Sequence, residues 1–145
     1  MYLLDTNIVS VHDPRRSRAN SALADWLDRN SARLHLSVMS ITELDAGALK
    51  LRRQGNLLRA NAIEVTVDRI LSNYGDRILS MDVATARVVA RLSESVYKKP
   101  VETPDLIVAA TAIRHNLALL TNNVRDFARL GVLMHDPLTS LPPDI

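Results

Sequence analysis

No cysteine occurs in the 145 residues. Disulfide staples, thiolate zinc sites and a cysteine nucleophile are thereby excluded. Aromatic residues make up only 3% of the chain, too few for the stacking platforms on which single-strand binders hold bases. No apolar run approaches the roughly 18 residues needed to cross a bilayer. Residues 1–7 read as a core strand rather than a charged segment leading into a long apolar stretch, so no secretory signal is expected and the cytoplasm is the expected compartment. Internal repeats, low-complexity tracts and glycine–serine linkers are also missing.

What is present is the composition of a folded soluble protein, 47% hydrophobic and 23% charged. The length suits one domain over residues 1–145, with an extended tail expected from about residue 137. The net charge of +2 conceals basic clusters at Arg15, Arg16 and Arg18, at Arg52 and Arg53, and at Lys98 and Lys99. Such pairs are ordinarily solvated, but pooled beside an acidic pocket they would hold phosphates.

Tyr2, Leu3 and Leu4 form a short apolar run ending at Asp5, followed by Thr6 and Asn7, chemistry suited to a turn or helix cap. Leu23, Trp26 and Leu27 share a helical face, and Leu34, Leu36 and Val38 alternate as a strand up to Ser40. The run from Ser40 to Glu43 predicts the start of a helix to about Arg53, ending near Gly55, with Glu43 in its first turn. Two more amphipathic helices are predicted, one through Ile63, Val67, Ile70 and Tyr74, the other through Val83, Val88, Leu92 and Val96, around a brief strand at Ile78 and Leu79. Thr103, Pro104 and Asp105 supply a cap, a proline at the first helical position and an acid in the first turn of an alanine-rich helix. Strands are expected at 117–120 and 132–134, with a turn and a brief helix at 121–127 between them.

Strands alternating with helices predict a three-layer α/β/α sandwich around a central parallel sheet, with ligands bound beyond the carboxyl ends of the strands. Asp5, Glu43 and Asp126 fall at that edge, and Asp105 reaches it from the amino end of its helix. Each acid alone has a local explanation: Asp5 as a cap, Ser40 with Glu43 as a capping box, Asp105 as a partner of the helix dipole, Asn123 with Asp126 as another cap. Capping, however, would scatter acids over both edges. Four carboxylates on one edge repel, which raises their pKa values and favours a bound cation. Oxygen-only ligands suit magnesium or manganese, whereas His12, His35, His115 and His135 show no spacing for zinc.

Residues 3–7 (Leu-Leu-Asp-Thr-Asn), 42–44 (Thr-Glu-Leu), 105–112 (Asp-Leu-Ile-Val-Ala-Ala-Thr-Ala) and 121–127 (Thr-Asn-Asn-Val-Arg-Asp-Phe) together resemble PIN-domain motifs, and more narrowly the VapC toxins of VapBC toxin–antitoxin systems. The four blocks come in family order over nearly the whole chain. Two departures are Val11, where many relatives carry an acid, and Pro104 before Asp105. The resemblance implies a PIN-like fold and endonucleolytic cleavage of RNA dependent on Mg2+ or Mn2+. Asp5 and Asp105 are then the principal metal ligands, Glu43 and Asp126 bind directly or through water, and Thr6, Asn7, Thr121 and Asn123 fix carboxylate geometry. It also implies a homodimer and a small VapB-like antitoxin, for which the helices between Leu57 and Lys99 offer surface. The rival readings are a non-catalytic PIN-like binding module, a receiver-type signalling domain, for which neighbouring early acids and a late lysine are missing, and a metal-independent ribonuclease using histidines.

Overall fold

A computed structural model of the chain describes residues 1–12 and 20–143. The basic cluster of Arg15, Arg16 and Arg18 lies outside the described residues. The strands are β1 (Tyr2–Leu4), β2 (Leu34–Ser37), β3 (Ile78–Leu79), β4 (Ala118–Leu120) and β5 (Met134–His135). They form one parallel sheet in the order β3-β2-β1-β4-β5. The helices are α1 (Thr6–Val9), α2 (Ser21–Arg29), α3 (Val38–Arg53), α4 (Leu57–Tyr74), α5 (Val83–Ser95), α6 (Thr103–Arg114) and α7 (Val124–Phe127), joined in places by short 3-10 turns.

The layering follows from the twofold alternation of strand side chains. Leu4 faces one core with Ile8, Trp26, Leu27 and Ile70. Leu3, its neighbour, faces the other with Leu106, Ala109, Leu119 and Phe127. Both leucines are wholly buried, and two helical layers therefore cover the two faces, as the sequence predicts. Burying one leucine contributes about 1.5–3 kcal/mol, so a one-residue slip of β1 would exchange its faces and lose both contacts. Alanines at 109, 110 and 112 of α6 are fully buried, and their small side chains let that helix lie close against the sheet.

Several boundaries differ from the sequence-based expectation. β2 stops at Ser37, whose Oγ accepts the Met39 N–H at 3.2 Å and caps α3. The helix therefore starts at Val38, so Glu43 lies in its second turn rather than its first, and Ser40 is a buried interior residue instead of a cap. α6 is preceded by Glu102 as its cap residue, with Thr103 already helical. β5 falls at Met134–His135 rather than 132–134, because pairing Leu119 with Met134 sets the register. The tail turns at 137–140 instead of extending, since Asp136 Oδ1 accepts the Leu138 N–H at 2.9 Å and the Asp136 carbonyl accepts from Thr139.

Arg52 is tied across the α3–α4 hairpin to Glu64 at 2.8 Å and to Asn61, so it belongs to helix pairing rather than to a phosphate-binding face. Among the described residues no helix is long and apolar enough to cross a membrane.

Candidate active site

The strand order reverses direction at β1: from there the chain moves to β2 and β3 on one side, then crosses back to β4 and β5 on the other. Such a switch point leaves a crevice at the carboxyl ends of the two central strands. Asp5 and Thr121 are the residues that immediately follow β1 and β4, and the Asp5 N–H donates to the Leu120 carbonyl at 3.0 Å. Both side chains are buried.

Asp5 keeps an extended backbone and caps α1. Its Oδ1 accepts the Thr6 N–H at 2.7 Å, while Oδ2 accepts from Asn7 Nδ2 at 2.9 Å and from the Thr121 hydroxyl at 2.7 Å. Burial raises the pKa of this carboxyl, and the three hydrogen bonds from Thr121, Thr6 and Asn7 counteract it only in part. Thr121 Oγ1 in turn accepts the Asn123 N–H at 2.9 Å, and Asn123 Nδ2 donates to Asp105 Oδ2 over a long 3.4 Å. A single polar chain therefore runs Asp5, Thr121, Asn123, Asp105.

Asp105 stands in the first turn of α6, half-buried, with its pKa pushed up to about 6. Burial is the largest cause, and the negative charges of Asp5, Glu43, Asp126 and Glu102 add to it in that order. Glu43, on α3, is raised by burial first and then by Asp5 and Glu102. The Thr6 hydroxyl opposes that rise, although it stands in no defined hydrogen bond. Asp126 occupies the first turn of α7. Asn123 precedes that helix without capping it through its side chain, which leaves the amide to face Asp105.

The four acids singled out from the sequence thus share one electrostatic neighbourhood at the carboxyl edge of the sheet. Asn7, Thr121 and Asn123 bond to two of them directly, and Thr6 does so through its backbone. Glu102 was missed, because assigning the cap to Thr103 drew attention away from the acid three residues ahead of Asp105. Of the histidines, His35 lies in β2 with its pKa lowered by burial, and it takes no part in the acidic group. Among the described residues no three acids or histidines converge into a ready-made metal cage. The oxygen-only donors, crowded enough to lift Asp105 by two carboxylates and more, fit instead a hydrated divalent cation held through one or two carboxylates and its own waters. A separate cleft of about 550 Å³, lined by Asp28, Arg69, Tyr74 and Arg77 among others, contains none of these acids.

A family profile described as the PIN domain matches residues 2–133. Toxin FitB of Neisseria gonorrhoeae is 29% identical over 142 or so aligned positions' worth of chain, covering 94% of this chain and 98% of FitB. Ribonuclease VapC1 of Rickettsia felis is 27% identical, covering 88% of this chain and 89% of its own length. Among solved structures, DNA-bound VapBC from Salmonella typhimurium superposes with a TM-score of 0.73 at 25% identity, over 93% of this chain and 96% of the other.

Proposed function

Since the chain belongs to the PIN-domain family, we propose that it is a metal-dependent endoribonuclease of the VapC type, the toxin of a toxin–antitoxin pair acting in the cytoplasm. The observation that carries this reading is the convergence of Asp5, Glu43, Asp105 and Asp126 on the switch-point crevice, with Asp105 held at about 6 by burial and its acidic neighbours. The likeness to VapC1 and FitB supports the same activity class.

Asp5 and Asp105 would be the principal ligands of Mg2+ or Mn2+, with Glu43 and Asp126 binding directly or through water. When bound, such an ion polarises the scissile phosphate, neutralises developing charge and acidifies a water. The protein's own contribution is positional. Thr121, Asn7 and the Thr6 N–H fix both oxygens of Asp5, and Asn123 orients Asp105. Glu43, with its raised pKa, is suited to accept the proton that the attacking water gives up as its oxygen bonds to phosphorus and the opposite P–O ester bond breaks. The chain acts as one PIN-like domain, forms a homodimer, and is held inactive by a VapB-like antitoxin.

The test is cleavage of total cellular RNA by the wild type and by Asp5→Asn, with magnesium, with manganese and with excess chelator. Cutting that requires metal and disappears in Asp5→Asn upholds the reading. Cutting that survives both treatments overturns the metal mechanism, and the absence of cutting with any metal favours a non-catalytic binding module.

A further inference from the structure

Glu102 has no role in the family-like motifs, yet its position is defined by the fold. It is the cap residue of α6, with an extended backbone (φ −63°, ψ 145°), and its side chain makes no capping hydrogen bond. A cap residue and the third residue of its helix lie on the same side of the first turn; here those are Glu102 and Asp105. Glu102 is exposed, so its carboxylate is at the solvent side of the crevice while Asp105 is further in. It is also close enough to add its negative charge to the fields felt by both Glu43 and Asp105, residues on two different helices. A solvated surface acid would ordinarily be engaged by its own helix or by a nearby cation. This one is released from capping and faces the acids instead.

We infer that Glu102 is a fifth acid of the site, a positioning residue at its mouth that strengthens cation binding from the outside without being one of the inner ligands. This rests on the metal-dependent reading above. An exposed carboxylate acts on a divalent ion through water, so its effect is modest, falls with distance and is screened by salt. The placement makes chemical sense for a cation that keeps several waters, because an outer carboxylate can accept hydrogen bonds from those waters while the inner acids hold the ion.

The experiment is Mn2+ binding by titration calorimetry, with wild type, Glu102→Gln, Glu102→Asp and Asp105→Asn compared at low and high salt, and with the melting temperature of each measured in chelator. Glu102→Gln is expected to weaken Mn2+ binding by about 3- to 10-fold at low salt, with the difference shrinking at high salt, as through-water attraction requires. Glu102→Asp keeps the charge and should retain most of the affinity. The melting temperature in chelator should not fall, since no capping bond is lost. Equal Mn2+ affinity in wild type and Glu102→Gln overturns the inference while leaving the metal reading intact. A wild type that binds no Mn2+ overturns both, and a drop in melting temperature without a change in affinity assigns Glu102 to the helix end instead.

Discussion

The Thr121 hydroxyl donates to Asp5 Oδ2 at 2.7 Å, joining residues 116 positions apart in the chain. The same oxygen accepts the Asn123 N–H, so Thr121 fixes its own hydrogen toward Asp5 and passes the geometry on to the residue that faces Asp105. Isosteric removal of one hydroxyl should therefore disturb both acids.

Thr121→Val keeps the volume and deletes the donor. Hydrogen bonds to charged groups contribute about 1.5–3 kcal/mol, so urea denaturation at neutral pH should show a loss of that order. Thr121 also lowers the Asp5 pKa; its removal raises that pKa further and should move the acid limb of the cleavage–pH profile to higher pH. An unchanged limb would mean that Asp5 does not govern it.

The metal-free protein should lose stability as pH rises. Asp105 goes from an ordinary value of 3.8 to about 6 on folding, so between those values the folded state holds the proton more tightly than the unfolded one. Its stabilising share is complete below the ordinary value and disappears as pH passes through about 6. Asp5 and Glu43, also raised, act with the same sign. Thermal denaturation in chelator should show the decline, and Asp105→Asn should flatten it.

Arg77 is expected to matter for stability alone. Its guanidinium donates to the carbonyls of Ser31, Leu34 and Asn73 and lies over the Tyr74 ring at 4.9 Å, so it ties the start of β2 to the end of α4. Arg77→Leu should cost about 2–3 kcal/mol, since several hydrogen bonds from a charged donor are lost and carbonyls are left unpartnered. Cleavage per folded molecule, measured well below the new melting temperature, should be unaltered.

The Arg52–Glu64 pair offers a contrast. Both side chains are 41% exposed, and exposed ion pairs are worth about 0.2–1 kcal/mol. Arg52→Ala should shift the urea midpoint by no more than that, and the shift should vanish in high salt.

The α/β/α layering was legible because it depends on local alternation: Leu3 and Leu4 are neighbours with opposite cores, and any sequence window shows that pattern. The four acids were legible for a related reason, each standing in a short block whose place at a strand or helix end can be read locally. Boundaries decided by tertiary pairing were not. Val132, Leu133 and Met134 look alike to a pattern, and only pairing with β4 selects Met134 for the strand. Ser37 and Ser40 are equally good caps in isolation; the end of β2 decides between them. Glu102 escaped for the same reason, as its nearness to Glu43 on α3 exists only after α3 and α6 are both docked.

The place of β1 in the middle of the sheet has a consequence for a nascent chain. Tyr2 pairs with Leu34 on one side and with Ala118 on the other, so the first strand translated waits for nearly the last one before its second edge is covered. Asp5 leaves the ribosome early, whereas Asp105, Thr121 and Asp126 emerge close to the end of synthesis. Long-range pairing of this kind is slow to form and leaves edges open meanwhile. A half-made polypeptide accordingly carries its first acid without the partners that orient it, and the crevice is assembled only when translation is almost complete.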